Sequence, residues 1–330
     1  MKHISILALE GETSLSNLEA TYKMFNMVNG FLASAGKAPL FKVQMVGLSK
    51  ETRLTNGLFT VIPELTINDL VKTDLVIIPA VHGPIQQILK LNQDYVPWII
   101  RQYKNGAEVA SLCIGAFILA STGLLNGKEC STHWLSAAEF RNMFPEVKLV
   151  PDKIITDEYG LYSSGGAFSS MNLVIYLIEK YAGRDMAILC SKVFEIEIER
   201  HSQSPFIIFK GQKEHGDDQI RRAQEYIEQN YSERITVDQI ADMLALNRRS
   251  LERRFKKATS NTIVEYIQCV KIEVAKKSLE SSRININEVM YKVGYTDTKA
   301  FRTTFKKTTG LSPIEYRNKY NRESVGLMAS

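Results

Sequence analysis

The last third of the chain contains one unit twice. Residues 251–260 read LERRFKKATS and, fifty positions later, residues 301–310 read FRTTFKKTTG. The match extends downstream, where Val264-Glu265-Tyr266 faces Ile314-Glu315-Tyr316. Upstream, the same offset sets Asp238-Gln239-Ile240 against Glu288-Val289-Met290. An internal period constrains the fold before any single residue does, and two copies are too few for a solenoid, which needs about three. The period predicts a duplicated helical module.

Each copy has the pattern of a helix-turn-helix. In the first, Val237, Ile240, Ala241 and Leu244 mark an apolar helix face, Ala245-Leu246-Asn247 breaks it, and Leu251 and Phe255 repeat at i, i+4 on a second helix. Asn247 is placed to cap that helix through its side-chain oxygen. In the second copy a helix over 287–293 meets Gly294, which supplies the positive φ of a sharp turn. Asp297 then caps a helix that buries Phe301 and Phe305. A long helix over 264–279, with Ile267, Val270, Val274, Ala275 and Leu279 on its apolar side, would hold the two units apart.

The faces left outside are basic. The first carries Arg248, Arg249, Glu252, Arg253, Lys256 and Lys257; the second carries Thr298, Lys299, Arg302, Thr303, Lys306 and Lys307. One such helix is usually only a solvated face, but two joined by turns and a rigid spacer make a reader of double-stranded DNA. Arg249, Glu252, Arg253, Thr298, Lys299 and Arg302 are the candidates for base edges, and the four lysines of the KK pairs for phosphates. Charge divides the chain in the same sense. Residues 217–330 hold 21 Lys+Arg against 15 Asp+Glu, a net of +6, whereas residues 1–216 stand at −1.

Residues 235–317, ending in GYTDTKAFRTTFKKTTGLSPIEYR, resemble the DNA-binding domain of the AraC family of bacterial transcription regulators. The resemblance implies two recognition helices in successive major grooves on one face of the duplex. Ser260, Ile263 and Thr303 depart from residues frequent in that family, namely glycine, proline and arginine.

At 330 residues the chain is long for one core, and the prior of about 100–200 residues per domain gives two. The expected division is 1–202, a linker over 203–217 rich in polar residues with a proline and glycines, and 218–330. The FIIF run at 206–209 is expected to dock on one domain, with a strand of the first as the alternative. Cys113, Cys130, Cys190 and Cys269 have neither paired nor metal-type spacing, and the five histidines do not cluster. This points to a reducing compartment with no metal and no cofactor. No apolar run approaches the ~18 residues of a membrane span. A cytoplasmic, nucleoid-associated bacterial protein is the expectation.

Before residue 200, apolar runs and helical periods alternate. Strands are expected at 3–9, 41–48, 74–79, 108–111, 148–150, 153–156 and 161–163, with a hairpin over 53–61 about Asn56-Gly57. Helices are expected at 17–35, 85–104 with a break near Pro97, 115–122, 134–143, 167–181 and 185–197. The run DLVIIP at 74–79 suits a strand buried on both faces of a parallel sheet. The fold class is therefore α/β, flavodoxin-like and mostly parallel, joined to an all-α domain with two helix-turn-helix modules.

Cys113 falls where the strand 108–111 turns abruptly into a helix, an elbow at the carboxyl edge of the sheet. A helix N-terminus there is expected to favour thiolate, and the Ile114 N–H to meet an anion. His82, Gly83, His133, Ser164 and Gly165 would face the same crevice, with His133 beside a buried Trp134. SLCIGAFILASTGLLNGKECSTHW and YSSGGAF resemble the PfpI/ThiJ superfamily, which has a glutamine-amidotransferase-like fold, and the fusion resembles the GlxA-like group of AraC-family regulators. The resemblance implies a metabolite-sensing and dimerising domain on a DNA-binding tail, with RNA polymerase a candidate partner. It also admits an isonitrile hydratase- or amidase-like enzyme at Cys113. Against catalysis, Ile114 stands where protease-like members carry histidine, and Leu135 stands where an acid would follow His133. Glu10 and Glu12 are the remaining carboxylates near that edge.

Overall fold

The computed structural model describes residues 1–54, 57–198, 202–213 and 215–321. The chain forms two compact units, Met1–Gln203 and Ser204–Ser330.

The first unit opens with β1 (Lys2–Ala8), β2 (Glu12–Thr13), α1 (Leu15–Ser34) and β3 (Phe41–Gly47). Next come β4 (Thr52–Leu54), β5 (Phe59–Val61), β6 (Leu65–Thr66), β7 (Leu75–Ile78) and β8 (Val81–His82). The helices α2 (Ile85–Leu91) and α3 (Tyr95–Lys104) lead to β9 (Glu108–Ser111) and α4 (Ala116–Ser121). Then follow β10 (Glu129–Cys130), α5 (Ala137–Met143), β11 (Lys148–Leu149), β12 (Ile155–Glu158) and β13 (Leu161–Ser164). Finally α6 (Met171–Ala182) and α7 (Arg184–Phe194) close the unit. Seven strands form one sheet in the order β12-β13-β9-β7-β1-β3-β6, parallel throughout except for β12 against β13.

The apolar run at β7 explains the layering. Leu75 and Ile77 pack with Leu18 and Phe25 of α1, while Val76 and Ile78 pack with Trp98 of α3 and Phe117 of α4. A period of two with both members apolar thus buries both faces of the sheet. β4 and β5 pair antiparallel as the hairpin pattern predicts; Asn56 at its tip lies outside the described residues.

Two expected boundaries are sharpened. The break expected near Pro97 in 85–104 falls at residues 92–94, between α2 and α3. Asn92 is drawn out of the helix, its Nδ2 donating to the carbonyls of Ile88 and Glu10 at 2.9 Å while its Oδ1 accepts from the Glu10 N–H at 2.8 Å. Pro97 sits in the first turn of α3, where its missing N–H costs nothing. The helix expected to 197 ends at Phe194, because Glu195 takes a left-handed φ of 53°.

The second unit is helical: α8 (Asp218–Gln229), α9 (Val237–Met243), α10 (Arg248–Thr259), α11 (Ile263–Ser281), α12 (Ile286–Lys292), α13 (Thr298–Thr309) and α14 (Pro313–Tyr320). Its repeat is real but slips once. From α10 onward the offset is fifty: N-caps Asn247 and Asp297, buried Phe255 and Phe305, and left-handed C-caps Ser260 and Gly310. In the preceding helices it is forty-nine. Capping boxes pair Thr236 with Gln239 and Asn285 with Glu288, and buried Ile240, Ala241 and Leu244 match Val289, Met290 and Val293. Asp238-Gln239-Ile240 therefore corresponds to Asn287-Glu288-Val289, which corrects the upstream match. The second turn carries one residue more between Gly294 and Asp297 than the first does between Ala245 and Asn247.

Each module rests on a bracing helix through a buried tyrosine. Tyr266 donates to Glu228 Oε1 of α8 at 2.7 Å, and Tyr316 to Glu280 Oε1 of α11 at 2.6 Å. α11 thus closes the first module and braces the second. The stretch expected as a linker is divided: Gln203 belongs to the first unit, and from Ser204 the chain packs within the second. Lys276 Nζ holds the Ile207 carbonyl at 2.6 Å and Glu273 Oε2 at 2.8 Å, and the same oxygen accepts from the Phe209 N–H at 3.1 Å. The 206–209 run is accordingly anchored to α11 and not to the first sheet.

Ser260 adopts φ 59°, where the matched residue is Gly310. The left-handed region costs a residue with a Cβ about 1–2 kcal/mol. Ser260→Gly should therefore raise the melting temperature of the second unit by a few degrees; an unchanged or lower midpoint would show that the serine is not strained.

Candidate functional site

All twelve residues expected to meet DNA lie exposed on α10 and α13, away from the faces that bury Leu251, Phe255, Phe301 and Phe305. They are not equally available. Arg248 spans Asp238 at 3.2 Å and Glu252 at 3.1 Å. Among the described residues no ion pair engages Arg249, Arg253, Lys256, Lys257, Lys299, Arg302, Lys306 or Lys307. Arg254, in the midst of the first set, faces inward: it grips Asp217 at 2.9 and 2.6 Å and Gln219 at 2.7 Å. Its guanidinium holds the Asp217 carboxyl below the usual carboxylate range.

A concavity of about 550 Å³ lies over α10 and the start of α11. Val237, Ile263 and Val264 form its apolar part, and Arg249, Arg253 and Lys256 its basic part. Glu265 is held below the usual carboxylate range first by hydrogen bonds from Thr262 and further by Lys256 and Lys307. Cationic groups and apolar surface in this arrangement suit a sugar-phosphate strand.

In the first unit the elbow is present. Cys113 has φ 54° and is 2% exposed, on a 3₁₀ turn (Cys113–Gly115) between β9 and α4. Ser164 Oγ accepts from its N–H at 3.2 Å, and Thr132 Oγ1 donates to its carbonyl at 3.0 Å. Gly115 is required here, since a Cβ would lie 2.6 Å from the carbonyl oxygens of Ile78 and Pro79. Burial pushes the Cys113 thiol up, and the main-chain amides of Ala167 and Ile114 offset only part of that shift. The expected thiolate is thus corrected: α4 has only six residues, and desolvation exceeds the pull of its amino end.

His133 packs on Gly166, where any Cβ would collide with the imidazole. Its Nδ1 accepts from the Leu135 N–H at 3.1 Å, which places the ring proton on Nε2. Burial, then the nearby His82, lowers its pKa, so it is neutral at pH 7. His82 and Gly83 are exposed, Ile114 is half-buried, and Ser164 and Gly165 are buried. Trp134 is half-buried, not buried, with its ring 5.7 Å from that of His133. Glu12 pairs with His82 across β2 and β8, while Glu10 Oε1 accepts from Ser49 at 3.4 Å. Among the described residues no hydrogen bond joins Cys113 to either imidazole.

Gln203 was not foreseen in this site. It is 2% exposed; its Oε1 accepts from the Gly166 N–H at 3.2 Å, and its Nε2 donates to the carbonyls of Thr132 at 3.0 Å and Lys153 at 3.2 Å. It stitches three crevice loops at the last position of the first unit. A separate groove of about 420 Å³, lined by Met24, Phe168, Met171 and Phe194 among others, lies beside α1 and α6.

Residues 15–180 match the DJ-1/PfpI family, and residues 240–319 match a helix-turn-helix domain. The HTH-type transcriptional regulator GbdR of Pseudomonas aeruginosa is 26% identical over 228 residues, 69% of this chain and 62% of that one. The match thus spans less than two thirds of that relative. The HTH-type transcriptional regulator CdhR of the same organism is 21% identical over 288 residues, 87% of this chain and 84% of that one. A solved protein of Vibrio parahaemolyticus, described as a transcriptional regulator candidate, is 20% identical with a TM-score of 0.52. It covers 58% of this chain and 98% of its own, a likeness that shows the fold alone. The chain belongs to the DJ-1/PfpI family, with that fold in its first unit and an AraC-type helix-turn-helix domain in its second.

Proposed function

We propose that the protein is a sequence-specific DNA-binding transcription regulator whose α/β unit binds a small polar metabolite and pairs two copies of the chain. The observation that carries the reading is the duplicated reader: two helices with matched caps and cores, each turning exposed cations outward. The names of GbdR and CdhR as transcriptional regulators support it. Such a protein works in the cytoplasm on the nucleoid, and RNA polymerase is the natural recipient of its signal. The test is a gel-shift assay against its own upstream DNA with scrambled duplex as competitor. Specific binding is expected to be at least about a thousandfold tighter than non-specific binding; equal competition by the scrambled duplex would sink the reading.

The Cys113 crevice is proposed as a binding site and not a catalytic one. Cys113 is buried with its thiol pushed up, and among the described residues no imidazole is hydrogen-bonded to it, so the site lacks a general base. Because burial raises its pKa, Cys113 should alkylate slowly at pH 7 and faster as the pH rises above the ordinary thiol range. Peptide mapping after iodoacetamide treatment follows it separately from the other cysteines. Rapid labelling at neutral pH, or hydrolysis of amides or isonitriles abolished by Cys113→Ser, would favour the enzyme instead.

A further inference from the structure

We propose that the two reader helices are chemically inverted at one matched position, so that the first module selects cytosine through Glu252 where the second selects guanine through Arg302. The proposal rests on the DNA-reading function above and assigns its base specificity. α10 and α13 occupy the same register of the repeat, from N-caps Asn247 and Asp297 to C-caps Ser260 and Gly310. They seat matched side chains in their cores, Leu251 and Phe255 against Phe301 and Phe305. Residues 252 and 302 therefore project from the same place on each module, and both are exposed.

Their surroundings differ in a way that suits opposite tasks. Glu252 can only accept hydrogen bonds when ionised. Its Oε1 takes the Arg248 Nε at 3.1 Å, and Arg248 NH1 reaches both oxygens of Asp238 at 3.3 and 3.2 Å. This chain from α9 orients the carboxylate and offsets part of its repulsion from DNA. In the second module the matched residues are Asn287 and Thr298, so neither a carboxylate nor a guanidinium anchor is rebuilt. Arg302 is left with its planar fork for a base. In the major groove cytosine offers an amino donor and guanine two acceptors, the partners of a carboxylate and of an arginine fork respectively. The protein is thus a repeat while the element it reads is not.

The experiment is selection from a random duplex library by the full chain, followed by sequencing, for the natural protein and for Glu252→Gln, Glu252→Arg and Arg302→Gln. Gln pairs with adenine, so Glu252→Gln should exchange a cytosine preference of about tenfold for adenine at one position of the first half-element. Glu252→Arg should exchange it for guanine, and Arg302→Gln should turn guanine to adenine in the second half-element alone. Both positions are exposed, so folding is not at stake, and a thermal melt verifies this. Variants that lose affinity for every sequence alike, with preferences intact, overturn the assignment while leaving DNA binding in place. A natural chain that selects no sequence at all removes the underlying function as well.

Discussion

Changing Lys256, Lys257, Lys306 and Lys307 together to alanine should flatten the salt dependence of DNA binding by about 3 to 4 in the log–log slope. Each phosphate neutralised releases condensed counterion worth about 0.9 in that slope. Four such contacts correspond to a roughly hundredfold smaller loss of affinity between 50 and 200 mM salt. All four side chains are exposed on α10 and α13 and none is tied into an ion pair among the described residues, so the fold should survive. Lys37→Ala with Lys104→Ala, both exposed in the first unit, should leave the slope as it was. Fluorescence anisotropy titrations at several salt concentrations give both slopes. Equal slopes for the four-lysine variant and the natural chain would place the phosphate contacts elsewhere.

Lys276→Ala should cost the second unit about 3–5 kcal/mol, the penalty for removing one partner of a buried ion pair. The side chains of Lys276 and Glu273 are 5% and 12% exposed, far from the solvated pairs that contribute little. Without the ammonium, Glu273 keeps the Phe209 N–H but loses its counter-charge, and the Ile207 carbonyl loses its donor. The double change Lys276→Met with Glu273→Leu removes both charges at once and should cost much less. Urea unfolding followed by far-UV circular dichroism, read against the fluorescence of Trp98 and Trp134, which reports the first unit alone, separates the cases. A loss under about 1 kcal/mol in the single variant would mean that the pair is solvated and that the 206–209 segment is held by packing alone.

What the sequence made legible, and what it hid, follows the range of the interactions involved. β7 is visible because a strand buried on both faces is continuously apolar, and β1 nearly so, its buried Ser5 being satisfied by Thr73 Oγ1 at 2.9 Å. The reader helices are visible because a local pattern of caps, buried aromatics and cations recurs. The slip from fifty to forty-nine is hidden, since the first helices of the two modules share almost no identities and only their caps and buried faces fix the match. α8 carries a signal of its own in the sequence: Ile220, Ala223 and Ile227 share one buried face behind an Asp217 cap. Pro97 marks the neighbourhood of the break between α2 and α3, but it sits in the first turn of α3 and so begins that helix without interrupting it.

The site in the first unit divides in the same way. The Cys113 elbow is a local consequence of a strand running straight into a turn, and its φ of 54° bears this out. The protonation of the sulfur depends on how many atoms cover it, and those come from loops near Thr132, Ser164 and Ala167 that are far off in sequence. Gln203 could not be found from its neighbours in sequence, because its side-chain partners lie 37 to 72 residues away. A position in a polar stretch reads as linker until its partners are known.

Hydroxyl-radical footprinting of the full chain on a duplex it selects tests the two-module reader most directly. Each chain should protect two windows on one face of the DNA, their centres one helical turn or about 34 Å apart. Arg249→Ala should weaken one window and Arg302→Ala the other. Protection of a single groove per chain, or loss of both windows together in either variant, would contradict the account.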